Sequence, residues 1–149
     1  MDEPPAPQTV EAAPVWARRH RRALRAEFAE SAYAPSEMRD LVRAAARSWG
    51  LGDVGALAAL LVSELVTNAV EHGGSGGVVE VEALPAGLRV RVTDHSPVRP
   101  QVQHPRADEP AGRGLSIVDQ LSRRWGVEVA SAEKTVWFEV DDVDLSSHG

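Results

Sequence analysis

The segment SELVTNAVEHGG, residues 63–74, sets Glu64, Asn68, Glu71 and His72 at the end of the longest apolar stretch of the chain. At about 100° per residue, Glu64, Asn68 and Glu71 fall within roughly 60° of one another on a helix, with Thr67 and His72 flanking them. Leu57, Leu61 and Leu65 lie on or beside this arc, and Val62, Val66, Ala69 and Val70 occupy the remainder. Three chemistries suit such a stripe. The simplest is a solvated helix face. A metal site from Glu64, Asn68 and His72 at four-residue steps is the second, although an amide oxygen is a poor ligand for a transition metal. The third is the floor of a nucleotide pocket, in which Asn68 gives an oxygen to Mg²⁺ and Glu64 is a base near the terminal phosphate.

Two further motifs bear on that choice. VRVTDHSP ends a strand-like alternation at Asp94, an acceptor placed where a sheet stops and a loop begins. Taken alone, such a residue caps a turn. AGRGLSIVDQL puts Gly112 and Gly114 at the expected entrance to a helix, where free amides and the helix dipole attract anions. Taken alone, this is an ordinary loop-to-helix junction.

The elements that must position these residues can be read from periodicity. Residues 16–28 carry both a four-residue apolar spacing (Trp16, His20, Leu24, Phe28) and a two-residue one, which predicts a helix running into a strand near 23–29. In PSEMRDLVRAAARSWG, Ser36 is a candidate cap; Met38, Leu41, Val42, Ala45 and Trp49 form an apolar stripe, and Gly50 ends the helix. The polar stripe belongs to a second helix over about 53–72, stopped by Gly73 and Gly74. Val79, Val81 and Ala83 alternate with Glu80 and Glu82; after LPAG, Leu88, Val90 and Val92 alternate with Arg89, Arg91 and Thr93. This predicts a hairpin whose outward Glu and Arg rows face each other. From Ser96 to Gly114 the pattern gives way to prolines at 97, 100, 105 and 110, as in a functional lid. A short amphipathic helix and strands near 126–130 and 134–140 complete the chain. The fold class is a two-layer α/β (α+β) sandwich, with helices on one face of a mixed, largely antiparallel sheet.

Composition bounds the remainder. A chain of 149 residues, 43% hydrophobic and 26% charged, suits one globular domain over residues 15–142, with a Pro-rich disordered lead-in (1–14) and a flexible tail (143–149). The formal charge of −6 argues against direct nucleic-acid binding, which needs clustered cations. The basic run Arg18–Arg22 reads as a solvated or partner-facing patch. His20, His95, His104 and His148 show no metal-ligand spacing, and Trp49, Trp125 and Trp137 read as core or interface. With no cysteine, no secretory leader pattern and apolar runs about half the roughly 20 residues of a membrane span, the expected location is cytoplasmic, away from any membrane.

Taken together, Glu64-x-x-x-Asn68, the strand-end Asp94 and Gly112-Arg113-Gly114-Leu115 after a Pro-rich lid resemble the GHKL (histidine-kinase-like) ATPase superfamily and its Bergerat-type ATP-binding fold. LLVSELVTNAVEHG, GRGLSIVDQL and KTVWFEV look most like its anti-sigma-factor serine/threonine kinase branch, and the resemblance spans about residues 25–140. It implies ATP and Mg²⁺ as cofactors, Asn68 as the Mg²⁺ ligand and Glu64 as catalytic base. It also implies that Asp94 accepts from the adenine amine with support from Thr135, and that Gly112, Arg113, Gly114 and Leu115 bind phosphate. His72 and Ser96 fall at the edges of the same ATP site. The partners implied are a sigma factor and an anti-sigma antagonist, with a possible homodimer. The family's usual Asp-x-Gly-x-Gly is here Asp94-His95-Ser96-Pro97-Val98, lacking both glycines. An alternative reading is therefore a non-catalytic, nucleotide-dependent protein-binding module.

Overall fold

The computed structural model describes residues 22–95, 110–130 and 132–141, with the backbone alone for 110–114. The lead-in, the helix expected before the first strand, most of the basic run, most of the expected lid and the tail lie outside the described residues. The elements run β1 (Ala23–Phe28), α1 (Ala34–Ser48), α2 (Gly52–Glu71), β2 (Gly77–Leu84), β3 (Gly87–Asp94), α3 (Pro110–Leu121), β4 (Arg124–Ala130) and β5 (Glu133–Asp141).

The strands form one sheet in the order β1-β2-β3-β5-β4, and all four pairings are antiparallel. The expected mixture of parallel and antiparallel pairs is absent among the described residues. β3 and β4 do run the same way, but the β4–β5 hairpin folds β5 back between them, so each neighbours an opposed strand. α2 packs against α1, α3, β3 and β5, which puts the core between one helical layer and one face of the sheet. That face carries Val79, Val81, Leu88, Val90, Val92, Val136, Phe138 and Val140, all buried, as the two-residue alternation predicts.

Local boundaries follow the chemistry of their end residues. α1 starts at Ala34, ahead of the expected Ser36 cap, because Pro35 is preset for a first helical turn. The Ser36 hydroxyl instead donates to the Tyr33 carbonyl at 3.1 Å. Gly50, at φ 77°, supplies the left-handed turn after the helix. α2 is long and apolar enough, by length and composition, to cross a membrane, more so than its uninterrupted apolar runs suggest; half of that stretch is buried inside the fold. It is the central core helix, with Val54, Ala58, Leu61, Val62, Leu65, Val66 and Ala69 buried.

The other sheet face is a mosaic of charges. Glu80 lies opposite Arg91 and Glu82 opposite Arg89, with ion pairs at 3.7 Å and 3.5 Å, so the facing rows form as predicted. They continue across the sheet, since Arg91 also reaches Glu128 at 3.1 Å. Arg89 and Arg124 both donate to Glu139, each through Nε at 2.8 Å. Arg124 stands 5.6 Å from the Trp137 ring centre, a cation–π distance. Glu139 is only 7% exposed, because the two guanidiniums cover it on a central strand.

The hydrogen bond from Arg124 is the largest influence on Glu139 and holds its carboxyl below the usual range; burial opposes this, and Arg89 adds to the lowering. A carboxyl depressed in the folded state contributes stability that is complete above its unfolded value, about 4.3, and lost as pH falls through the folded value. Acid titration followed by circular dichroism is expected to show wild type losing stability below about pH 4.3. Glu139→Gln, which removes the carboxylate that both guanidiniums share, is expected to cost about 1–3 kcal/mol at neutral pH and to flatten that acid dependence.

Candidate functional site

Four of the five strands contribute to a row on the helix-facing side at one end of the sheet: Phe28, Gly77, Asp94 and Lys134, each paired with the next. Asp94 has the same strand parity as the core residues Val90 and Val92, so its carboxylate turns inward and is 4% exposed. Lys134 shares the parity of Val136, Phe138 and Val140, and its ammonium lies 3.6 Å from Asp94 Oδ2. Gly77 is necessary beside them, since a Cβ there would collide with the Thr93 carbonyl oxygen and stand 2.9 Å from the Phe28 ring. A carboxylate buried at the end of an apolar row is costly without compensation, and the lysine supplies the opposite charge.

The polar stripe of α2 reaches the same end. β2 begins at Gly77, opposite Asp94, and only a short connection separates it from the last turn of α2. Ser75 ties the two: its amide donates to the Ala69 carbonyl at 3.1 Å, and its hydroxyl oxygen accepts from the His95 amide at 3.1 Å. The residue after Asn68 is thus two hydrogen bonds from the residue after Asp94. Glu64 and Asn68 are half-buried, whereas Glu71 and His72 are exposed, so the solvated-face reading fits only the last turn. The side chains of Glu64 and Asn68 make no hydrogen bond or ion pair within the protein among the described residues. Half-buried polar groups held by a rigid core helix, and unspent on the fold, are available to a ligand.

α3 brings the third motif. β3 ends at Asp94, while β4 starts at Arg124, which pairs with Glu139 toward the opposite end of the sheet. α3 lies between them in sequence and packs on α2, with Leu115 and Val118 buried. It begins at Pro110, earlier than expected, and Gly112 and Gly114 lie inside its first turns rather than before them. Proline is preorganised for the first helical position and loses no hydrogen bond there. The first-turn amides of Ala111, Gly112 and Arg113 have no acceptor within the helix, and the helix dipole makes them attractive to an anion. Ser96 lies outside the described residues.

Thr135 is placed differently. It pairs with Thr93, and the two hydroxyl oxygens lie 2.8 Å apart on the sheet face opposite Asp94. Its side chain therefore does not support the Asp94 carboxylate. The neighbour that does is Lys134, which sequence reasoning missed. The available signal was parity, because a charged residue in phase with Val136, Phe138 and Val140 must point inward and needs a partner.

The donor set fits a magnesium-bound purine triphosphate. An inward carboxylate can accept from a base amine, and helix-end amides can receive phosphate oxygens. Asn68 offers the single hard oxygen expected where Mg²⁺ takes its other ligands from water and phosphate. Among the described residues, no three His, Cys, Asp or Glu side chains come together as a transition-metal site. A charged depression of about 490 Å³ involving Arg25, Glu80, Glu82, Arg89 and Arg91 contains none of the motif residues.

Comparison with known proteins agrees with the fold. The family model of the histidine kinase-like ATPase domain matches residues 11–140. The chain is 36% identical over 80 residues to the uncharacterized protein SCO4941 of Streptomyces coelicolor, a stretch covering 50% of this chain and 76% of that one. Among solved structures, the RsbU and RsbW domains of Rv1364c from Mycobacterium tuberculosis share the fold, with a TM-score of 0.62 at 22% identity. That match covers 80% of this chain and 32% of the other, so this chain accounts for about a third of its length. With the family match enclosing all three motifs, this chain belongs to the histidine kinase-like ATPase domain family.

Proposed function

We propose that the chain binds Mg·ATP at the Asp94 end of the sheet and transfers the γ-phosphate to a serine or threonine of an anti-sigma antagonist protein. The observation that carries this reading is the inward Asp94 carboxylate, 4% exposed, at the end of the sheet to which Ser75 ties the Asn68 turn. Asp94 accepts a hydrogen bond from the adenine amine, which selects ATP over a 6-keto purine. The first-turn amides of α3, at Ala111, Gly112 and Arg113 and just ahead of Gly114 and Leu115, receive phosphate oxygens. Asn68 holds Mg²⁺, which supplies charge neutralisation to the phosphates. His72, exposed at the end of α2, and Ser96 border the site.

Glu64 stands one helical turn before Asn68 and orients the acceptor hydroxyl. As the hydroxyl oxygen bonds to the γ-phosphorus and the bond to ADP breaks, Glu64 takes the proton. In this reading the protein also sequesters a sigma factor, acts in the cytoplasm and forms a homodimer. The RsbW domain of the similar Mycobacterium tuberculosis structure supports the anti-sigma assignment by fold.

A second reading has its own support. Asp94-His95-Ser96-Pro97-Val98 lacks the two glycines usual after the aspartate, and proline stiffens the position where a lid would hinge. In that reading the nucleotide orders a surface that binds a regulator, and no phosphate is transferred.

Calorimetry separates binding from chemistry. Wild type is expected to bind Mg·ATP, with Asp94→Asn weakening it about tenfold or more; equal affinity in the two contradicts the site. Glu64→Gln is expected to retain ATP while losing about 10²–10⁴-fold in transfer of labelled phosphate to a cognate antagonist. If wild type binds ATP yet labels no such partner, the binding-module reading replaces the kinase.

A further inference from the structure

We infer that Lys134 is a positioning residue for base recognition: its ammonium orients the Asp94 carboxylate as an acceptor, and so sets the preference for a 6-amino purine. The inference rests on the ATP reading above and concerns a residue which that reading does not use.

Several observations lead to it. Lys134 and Asp94 are direct cross-strand partners in an antiparallel pair, where opposite side chains stand closest and face the same way. Nζ lies 3.6 Å from Oδ2, and both residues are nearly buried, at 9% and 4% exposure. Lys134 is the one lysine in the chain, while every other cationic side chain of the sheet faces the open side or lies at its rim as arginine. The inward lysine therefore stands apart from the Arg–Glu mosaic and serves the opposite face.

A single amino group separates adenine from hypoxanthine at the position that Asp94 reads. An ionised carboxylate attracts the amine and repels a keto oxygen, so discrimination depends on its charge and orientation. Removing the ammonium takes away the cation that faces the carboxylate across the strand pair. The carboxylate then loses the donor that sets its orientation on that side and can turn away from the base. That turn erodes the preference for the amine. On its stem, Lys134 is positioned beside the apolar row, and arginine is the natural conservative replacement because it preserves the charge.

The experiment compares Mg·ATP with Mg·inosine 5′-triphosphate on the full chain by calorimetry, in wild type, Lys134→Met and Lys134→Arg. Wild type is expected to prefer ATP by about 10- to 100-fold, the range of a charge-assisted hydrogen bond. In Lys134→Met the two affinities are expected to converge to within about threefold, and Lys134→Arg is expected to restore most of the preference. Lys134→Gln, which keeps a buried donor without charge, carries the same expectation if the methionine variant does not fold. A purely structural lysine would weaken both nucleotides alike; an unchanged ATP-to-inosine ratio in a folded variant overturns the inference while leaving the ATP site standing. A wild type that binds neither nucleotide, or both equally, overturns the ATP reading and this inference with it.

Discussion

The arrangement depends on placing one negative charge on the apolar side of a sheet. Asp94 continues the inward row of Leu88, Val90 and Val92, a position where an aliphatic side chain would extend the core. A carboxylate there loses most of its hydration, and the effective penalty in proteins is several kcal/mol per ion. Lys134, approaching from the adjacent strand, offsets it, and the glycine opposite leaves no side chain to compete for the space. Such a device is a poor way to stabilise a fold, because a well-packed apolar pair often does as well or better. It makes sense as an acceptor held in readiness for a donor from outside the protein.

The surrounding architecture then has a clear division of labour. The open sheet face resolves its charges internally, with Glu80, Glu82, Glu128 and Glu139 satisfied by Arg89, Arg91 and Arg124 across four strands. The helix layer buries the aliphatic core through α2. At the end of that helix the packing residues give way to Glu64 and Asn68, which are half-buried and unspent. Ser75 fixes this turn to the end of β3, and α3 packs on the same helix. Rigid elements carry each group, which limits the ordering cost when a ligand binds.

Much of this was legible before any coordinates. Strict alternation predicted the β2–β3 hairpin and its Glu–Arg facing rows, because side-chain parity and a short turn leave little freedom in register. The extent of α2 followed from its apolar run and the glycines after it. The strand order was not legible: nothing local to β5 says that it enters between β3 and β4, since that pairing joins segments far apart in sequence. The start of α3 was misplaced by reading Gly112 and Gly114 as loop, when Pro110 already opens the helix. Thr135 was assigned by resemblance to a role that its parity forbids, and the same parity would have identified Lys134.

The central claim is that Asp94, the Asn68 turn and the first turn of α3 form one ligand site. Its most direct test is a titration of ¹⁵N-labelled protein with Mg·ATP, followed by amide chemical shifts. The account predicts saturable changes concentrated at Asn68, Ser75, Asp94, Ala111–Arg113 and Lys134. Changes centred instead on Arg89, Arg91 and Arg124 of the open face, or none at saturating nucleotide, would contradict it.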